Sequence, residues 1–427
     1  MASADNDRIP QDRPSRASWP RRARLLLVGS VIIALAAGLY GGYRYGLSQA
    51  FPDRIVTQVV NKDQTGTSPA VDFSLFWQVW DRLHSSYVDA GNLDSTKLVY
   101  GAIDGMVNAA GDPYTEFFPP SDATSFNEEI SGAFSGVGME IGMRNGAITV
   151  IAPIKDTPAM RAGIKAGDTI LKIDGQAVDG WSVDEAVDHI RGKQGTTVHL
   201  TLLRDGQNTP LEFTIVRDVI KVPAVDWKLI DGHIAYLQIY EFNGNVDDEF
   251  AQAAQQIVDS HADRLIIDLR NNPGGLLDSA VNIAGWLMQP GSVVVQEKAS
   301  DGTITELHAS GNAKLASVPT IILVDGGSAS ASEILAGAMH DIRNVRLVGA
   351  KTFGKGSVQQ LEDFYNGSAL KVTVAKWLTP NGVSISEVGI APTDPVKMDP
   401  TDPAASTWEY GTPGKDPQLD KALELIK

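Results

Sequence analysis

Two nearly unbroken apolar runs, Leu265-Ile266-Ile267-Asp268-Leu269 and Thr320-Ile321-Ile322-Leu323-Val324, constrain this chain more than any other feature. A strand that is apolar at successive positions has no face to give to water. It must be covered on both sides, as in a largely parallel sheet flanked by helices. The surrounding sequence fits that demand. Between about 219 and 400 it predicts strands over 234–239, 264–269, 320–325, 345–349 and 370–377, and helices over 246–260, 279–288 and 332–340. Alternation of that kind indicates an α/β core. The tail beyond Pro392, rich in Pro and Asp, is expected to lie on the surface.

The N-terminal end has a different character. Residues 1–24 hold six arginines and three acids, and the 19 residues from Leu25 to Tyr43 carry no charge. That length suits a membrane-spanning helix, and the preceding arginines favour a cytoplasmic N-terminus with the bulk of the chain exported. Ala34-Leu35-Ala36 leaves a cleaved signal peptide as the alternative. The expected organisation is a basic tail (1–24), an anchor or signal segment (25–45), a linker (46–70) and a helical domain (71–127). A strand-rich domain (128–218), the core (219–400) and a C-terminal tail (401–427) follow. In the helical domain, Phe76, Val79, Trp80, Leu83 and Tyr87 recur at helical spacing, and Gly111-Asp112-Pro113-Tyr114 stops a second periodic stretch. A packing role without chemistry is expected there.

Two function classes fall away on composition. A net charge of −16 argues against a nucleic-acid grip. The absence of cysteine excludes disulfides, thiolate metal sites and a cysteine nucleophile. No cofactor or metal is expected.

Residues 128–218 read as short strands between Gly and Asp turns, with one helix capped by Ser182 and reinforced by Glu185 three positions on. Ser135-Gly136-Val137-Gly138-Met139, Thr157-Pro158-Ala159 and Ala162-Gly163-Ile164-Lys165-Ala166-Gly167-Asp168 stand in the order of a PDZ domain, which this segment resembles. The resemblance implies that Gly136, Val137, Gly138 and Met139 receive the C-terminus of a polypeptide, added as an extra strand.

Chemistry is suggested at two places in the core. Gly326-Gly327-Ser328-Ala329-Ser330-Ala331-Ser332-Glu333 lies between a strand and a helix, where a serine oxygen can point outwards beside free backbone N–H groups. It lacks the G-x-S-x-G elbow. The second, Lys351-Thr352-Phe353-Gly354-Lys355-Gly356, is nearly a P-loop, but Gly356 stands where a hydroxyl is required. It presents an ammonium on a tight turn. None of the seven histidines has a motif around it. Lysine can serve as base if burial, here by residues such as Phe353 and Val358, lowers its pKa from about 10.4 towards neutrality.

The S-A-S-A-S-E string followed by F-G-K-G is similar to the C-terminal processing peptidases, tail-specific proteases with a Ser/Lys dyad and a core of the Clp protease/crotonase type. The resemblance spans about residues 70–395. It implies Ser330 as nucleophile, Lys355 as base 25 positions later, and Gln359 as the group that orients the lysine. Glu333 and Asp341 become supporting residues. Asp268-Leu269-Arg270-Asn271-Asn272-Pro273-Gly274-Gly275 matches the family loop that forms an oxyanion hole, with Gly274 preferred over Gly275 and joined by Ala331. The implied partners are polypeptides with apolar C-termini, and the membrane through the N-terminal helix. A helper protein and a homo-oligomer are left open. Two rivals stand beside this reading: a membrane-tethered PDZ scaffold without turnover, and a crotonase-like enzyme acting on a thioester.

Overall fold

The structure is a computed structural model that describes residues 72–398, 401–402 and 405–427. The basic tail, the apolar run 25–43 and the linker lie outside the described residues. Among those residues, no helix is long and apolar enough to cross a membrane. The chain divides into two compact units at Gly101/Ala102. The first contains the helix Ser74–Ser86, none of whose residues is buried among the described residues.

In the second unit, the core sheet runs Val225–Ile230, Ile234–Ile239, Arg264–Asp268, Thr320–Val324, Arg346–Gly349, Asp394–Pro395 in spatial order. The first two strands form an antiparallel hairpin and every later pairing is parallel. Helices Val246–Asp259, Leu277–Leu287 and Ala331–Arg343 cover one face, where Phe250, Ile257, Ile283 and Leu335 pack on Leu237, Ile267 and Ile322. The double coverage inferred from the apolar runs is therefore present.

The opposite face corrects the reading of the C-terminal tail. Helix Pro417–Leu425 is not a surface appendage, since Leu419, Ala422 and Ile426 pack with Tyr236, Ile266, Ile321 and Leu323. Asp416 caps that helix through the Leu419 N–H, with Pro417 in the first turn. The Asp416 carboxylate also makes two hydrogen bonds to Arg270, which is paired on its other side with Asp268. Gln418 and the Tyr410 ring complete the enclosure of that guanidinium. Burial opposes the Arg270 charge, but the two carboxylates outweigh it and hold the group more firmly protonated than usual.

A second, antiparallel sheet contains Glu116–Phe118, Ala369–Leu378, Val293–Ala299 and Ile304–His308, with Ser357–Asp363 forming a long hairpin on Ala369–Leu378. Only the Ala369–Leu378 strand was visible in the sequence. The PDZ segment folds as an open sheet of Met139–Arg144, Ala147–Pro153, Thr169–Ile173, Thr197–Leu203 and Leu211–Val216 around Ile148, Ile173, Leu200 and Leu202. Its helix, Val183–Ile190, starts where Ser182 accepts from the Glu185 N–H, as expected. A two-stranded ribbon, Ala133–Gly136 with Asp218–Lys221, closes the domain at its entry and exit.

Helix Pro120–Ser131, unmarked in the sequence, precedes that ribbon and ends at left-handed Gly132. A Cβ at Gly132 would lie 2.4 Å from Asn243, so no larger residue fits there.

Truncating Asp416 would leave Arg270 buried with half its neutralisation removed. Asp416→Ala is expected to destabilise the core by about 3–5 kcal/mol. Lys421→Ala, in the exposed Lys421–Glu424 pair, should cost under about 1 kcal/mol. Urea unfolding of both variants measures the contrast, and equal midpoints would contradict it.

Candidate active site

The strand Thr320–Val324 turns through Asp325–Ser330 into helix Ala331–Arg343, and its three serines have separate roles. Ser328 Oγ donates to the Leu269 carbonyl at 2.7 Å, and Ser332 Oγ donates to the Asn272 carbonyl at 3.0 Å. Both are fully buried and fasten the turn to the loop after strand Arg264–Asp268. Ser330 Oγ donates to no group among the described residues and lines a cavity of about 320 Å³. Its backbone sits at φ 52°, ψ −117°, a conformation unusual for a residue with a side chain. The sharp strand-to-helix turn that presents Ser330 to the cavity is thus built without the G-x-S-x-G sequence.

The opposite wall is the glycine loop. A Cβ on Gly274 would lie 2.7 Å from Ser330 Cβ, and one on Gly275 would lie 2.3 Å from the Phe242 carbonyl oxygen. Both positions also have positive φ, at 101° and 131°. Glycine is required at each by space as well as conformation. The Gly274 N–H donates to Asn272 Oδ1 at 2.9 Å, which removes it as a free donor and corrects the preference for Gly274. Gly275 lines the cavity with Ser330. Among the described residues neither its N–H nor that of Ala331 has a protein acceptor.

Lys355 enters the same cavity from the loop before Ser357–Asp363. Its N–H donates to Glu333 Oε2 at 3.0 Å, and its carbonyl accepts from Trp377 Nε1 at 2.9 Å, so the backbone is held on both sides. The Nζ lies 5.2 Å from the centre of the Tyr114 ring. It makes no hydrogen bond to Ser330 in this arrangement; the two side chains share a cavity and are not yet joined. Burial pushes the amine below the ordinary lysine range, and Lys371 pushes in the same direction. Asp112 and Glu333 partly oppose them. Val358 and Trp377 supply apolar walls, whereas Phe353 is 57% exposed and does not.

Glu333 joins the two halves. Its Oε2 accepts from the N–H of Ser330 at 2.9 Å and from that of Lys355, while Oε1 accepts from Thr352 Oγ1 and the Gly354 N–H. The carboxylate is fully buried, and desolvation raises its pKa despite those four donors. Gln359 also lines the cavity, but its Nε2 donates to Ser357 and Thr373, and it does not contact the lysine amine. Asp341 is outside the cavity and accepts from the Asn381 N–H in the turn after strand Ala369–Leu378. No histidine lines the cavity.

Phe126, Asn127 and Ile130 on helix Pro120–Ser131 line it too, as does Lys371 on the long hairpin. The sequence reading missed all four, together with Tyr114, although the Gly111–Tyr114 turn marked the approach. Within the PDZ segment, Gly136, Val137, Gly138 and Met139 lie on one groove wall. They line a groove of about 190 Å³ with Val187 and Ile190. The strand Met139–Arg144 is at the edge of its sheet. Among the described residues no group of three or more His, Cys, Asp or Glu side chains is placed to hold a metal.

Three comparisons bear on this arrangement. The family model Peptidase family S41 matches residues 233–396, the PDZ domain model matches 149–204, and the model of the N-terminal domain of the activating protease CtpB matches 32–120. Carboxy-terminal processing protease CtpA of Bacillus subtilis (strain 168) is 39% identical over 315 residues, 74% of this chain and 67% of the relative. A carboxy-terminal-processing protease of Bartonella bacilliformis is 38% identical over 321 residues, 74% and 73% of the two chains. A solved structure, the photosystem II D1 C-terminal processing protease, is 30% identical with TM-score 0.46, covering 77% of this chain and 89% of its own.

Glu333→Gln keeps the shape but turns an NH₂ group against at least one backbone donor and removes the charge that strengthens the remaining hydrogen bonds, at about 1–3 kcal/mol for each bond lost. The N–H groups of Ser330, Gly354 and Lys355 should then exchange with deuterium at least about tenfold faster. Hydrogen-exchange mass spectrometry on peptides covering 328–334 and 352–356 measures this. Unchanged protection would contradict the assigned role.

Proposed function

Because the chain belongs to the carboxy-terminal processing proteases of peptidase family S41 and is a serine-type peptidase, we propose that Ser330 and Lys355 form its catalytic dyad. The observation that carries this reading is the single buried carboxylate of Glu333, which holds the backbones of both residues at the rim of one cavity. The desolvated lysine amine supports it.

In this reading, a rotation of the Lys355 side chain away from Tyr114 brings the amine to Ser330. Lys355, uncharged, takes the hydroxyl proton as Ser330 Oγ attacks a peptide carbonyl. The oxyanion is received by the N–H groups of Ala331 and Gly275, each worth roughly 3–4 kcal/mol to the transition state. The Lys355 ammonium then protonates the departing amine, and water hydrolyses the acyl-enzyme. Gln359 fixes the strand beside the base by way of Ser357 and Thr373, and Asp341 steadies the turn at Asn381.

The PDZ groove takes the apolar C-terminus of the polypeptide to be cleaved. The open edge of Met139–Arg144 pairs with the incoming chain, while Val187 and Ile190 face its side chains. Cleavage close to the substrate's C-terminus follows from that mode of capture. The apolar run after the arginine cluster supports a membrane anchor at residues 25–45, with the catalytic part on the extracytoplasmic side.

Ser330→Ala, Lys355→Ala and Lys355→Arg should each lower cleavage of an unfolded polypeptide by more than about 10³-fold. Arginine fails because guanidinium does not give up its proton. Circular dichroism should show the fold retained. Full activity in any of the three would overturn the dyad. Val187→Arg, at a groove position outside the buried core, should raise KM for substrates with apolar C-termini about tenfold or more while leaving kcat within a few-fold. An unchanged KM would remove the groove from substrate capture.

A further inference from the structure

Lysine works as a base only when it is uncharged, and the groups around Lys355 divide on that point. Asp112, in the loop before strand Glu116–Phe118, and Glu333, on the helix of Ser330, both favour the ammonium form. Asp112 is itself held in the charged state. Burial raises its carboxyl, but hydrogen bonds from Thr115, Thr373 and Tyr114, with the charge of Lys355, outweigh that and bring it below the usual range. The Tyr114 ring face also favours a cation. Against these stand burial and a second lysine in the same cavity, Lys371, on the long hairpin opposite Leu361.

Lys371 is not a loose surface cation. Its Nζ is 2.9 Å from Glu116 Oε2, and it lies 5.0 Å and 5.2 Å from the ring centres of Phe118 and Phe126. Those rings are stacked at 4.8 Å and Phe118 is buried, so the ammonium rests on a fixed platform. Its side chain is 21% exposed, while that of Glu116 is 53% exposed. The carboxylate partner is therefore well screened by water, and the ammonium faces the cavity.

We propose that Lys371 is a positioning residue for the base: its ammonium, fixed in the catalytic cavity by Glu116 and two aromatic faces, offsets the carboxylates of Asp112 and Glu333 and leaves the Lys355 amine free to accept a proton. The proposal rests on the Ser330/Lys355 dyad. It adds a division of labour in which one lysine carries the proton and the other sets the field around it.

The test is the pH profile of kcat/KM, measured on an unfolded polypeptide with the full chain. Lys371→Met should move the acid limb to higher pH by about one unit. Cleavage on the limb then falls about tenfold and recovers at alkaline pH. Lys371→Arg keeps the charge and should leave the limb where the unaltered protein has it. Lys371→Gln also removes the charge and should move the limb as Lys371→Met does. A uniform loss at every pH in Lys371→Met, or a limb that stays in place, would overturn the proposal. So would a limb moved equally by arginine and methionine. Should Lys371→Met fail to fold, the Lys371→Gln limb decides alone. Lys355→Ala separates the two levels of inference: activity retained there sinks the dyad, whereas activity lost there with an unmoved Lys371→Met limb sinks only the role of Lys371.

Discussion

One buried carboxylate organises the site. Glu333 accepts four hydrogen bonds, two on each oxygen, from Ser330, Lys355, Gly354 and Thr352. A desolvated anion is costly unless its lone pairs are met, so the turn bearing Ser330 and the loop bearing Lys355 are drawn to the same few cubic ångströms. Neither segment would adopt its shape readily alone. Ser330 is at positive φ, and a Cβ at Gly354 would come within 2.8 Å of the Gly389 N. The strain is local, and the rigid sheet and helix behind it absorb the cost.

Around that anion the molecule sorts charges by burial. Arg270, fully enclosed, is matched by Asp268 and Asp416 and by the hydroxyl-bearing Tyr236 at its edge. That arrangement ties the C-terminal helix to the loop carrying Gly274 and Gly275, so residues 146 positions apart in sequence stabilise one wall of the cavity. Lys355 is treated in the opposite way. Its amine is half-buried, has no hydrogen-bonding acceptor among the described residues, and faces another cation. Full pairing gives Arg270 a structural role; incomplete pairing of the Lys355 amine is what the proposed role in proton transfer requires.

Much of this was legible in the chain, for identifiable reasons. The core strands announced themselves because burial on both faces leaves no polar alternation, as in Leu265–Ile267 and Ile321–Val324. Ser330, Lys355 and the PDZ loop were found by motif. The strand Ser357–Asp363 was not found, since Ser, Gln, Glu and Asp dominate it and one of its faces meets water. The helix Pro417–Leu425 was hidden by its Pro- and Asp-rich approach, although Asp416-Pro417 is a helix start. Tyr114, Phe126 and Lys371 could not be placed, because pairing of Glu116 with Lys371 joins segments 255 residues apart. The choice between Gly274 and Gly275 depended on where the Asn272 side chain points, which no spacing rule reports.

An uncharged Lys355 activating Ser330 is the central claim. The rate of Ser330 modification by a fluorophosphonate, followed by peptide mass spectrometry across a pH series, tests it most directly. One adduct, on Ser330, should form along a single titration centred below the ordinary lysine range, with no such titration when Lys355 is replaced by alanine. Labelling at another residue, or a Ser330 rate indifferent to the loss of Lys355, would contradict it.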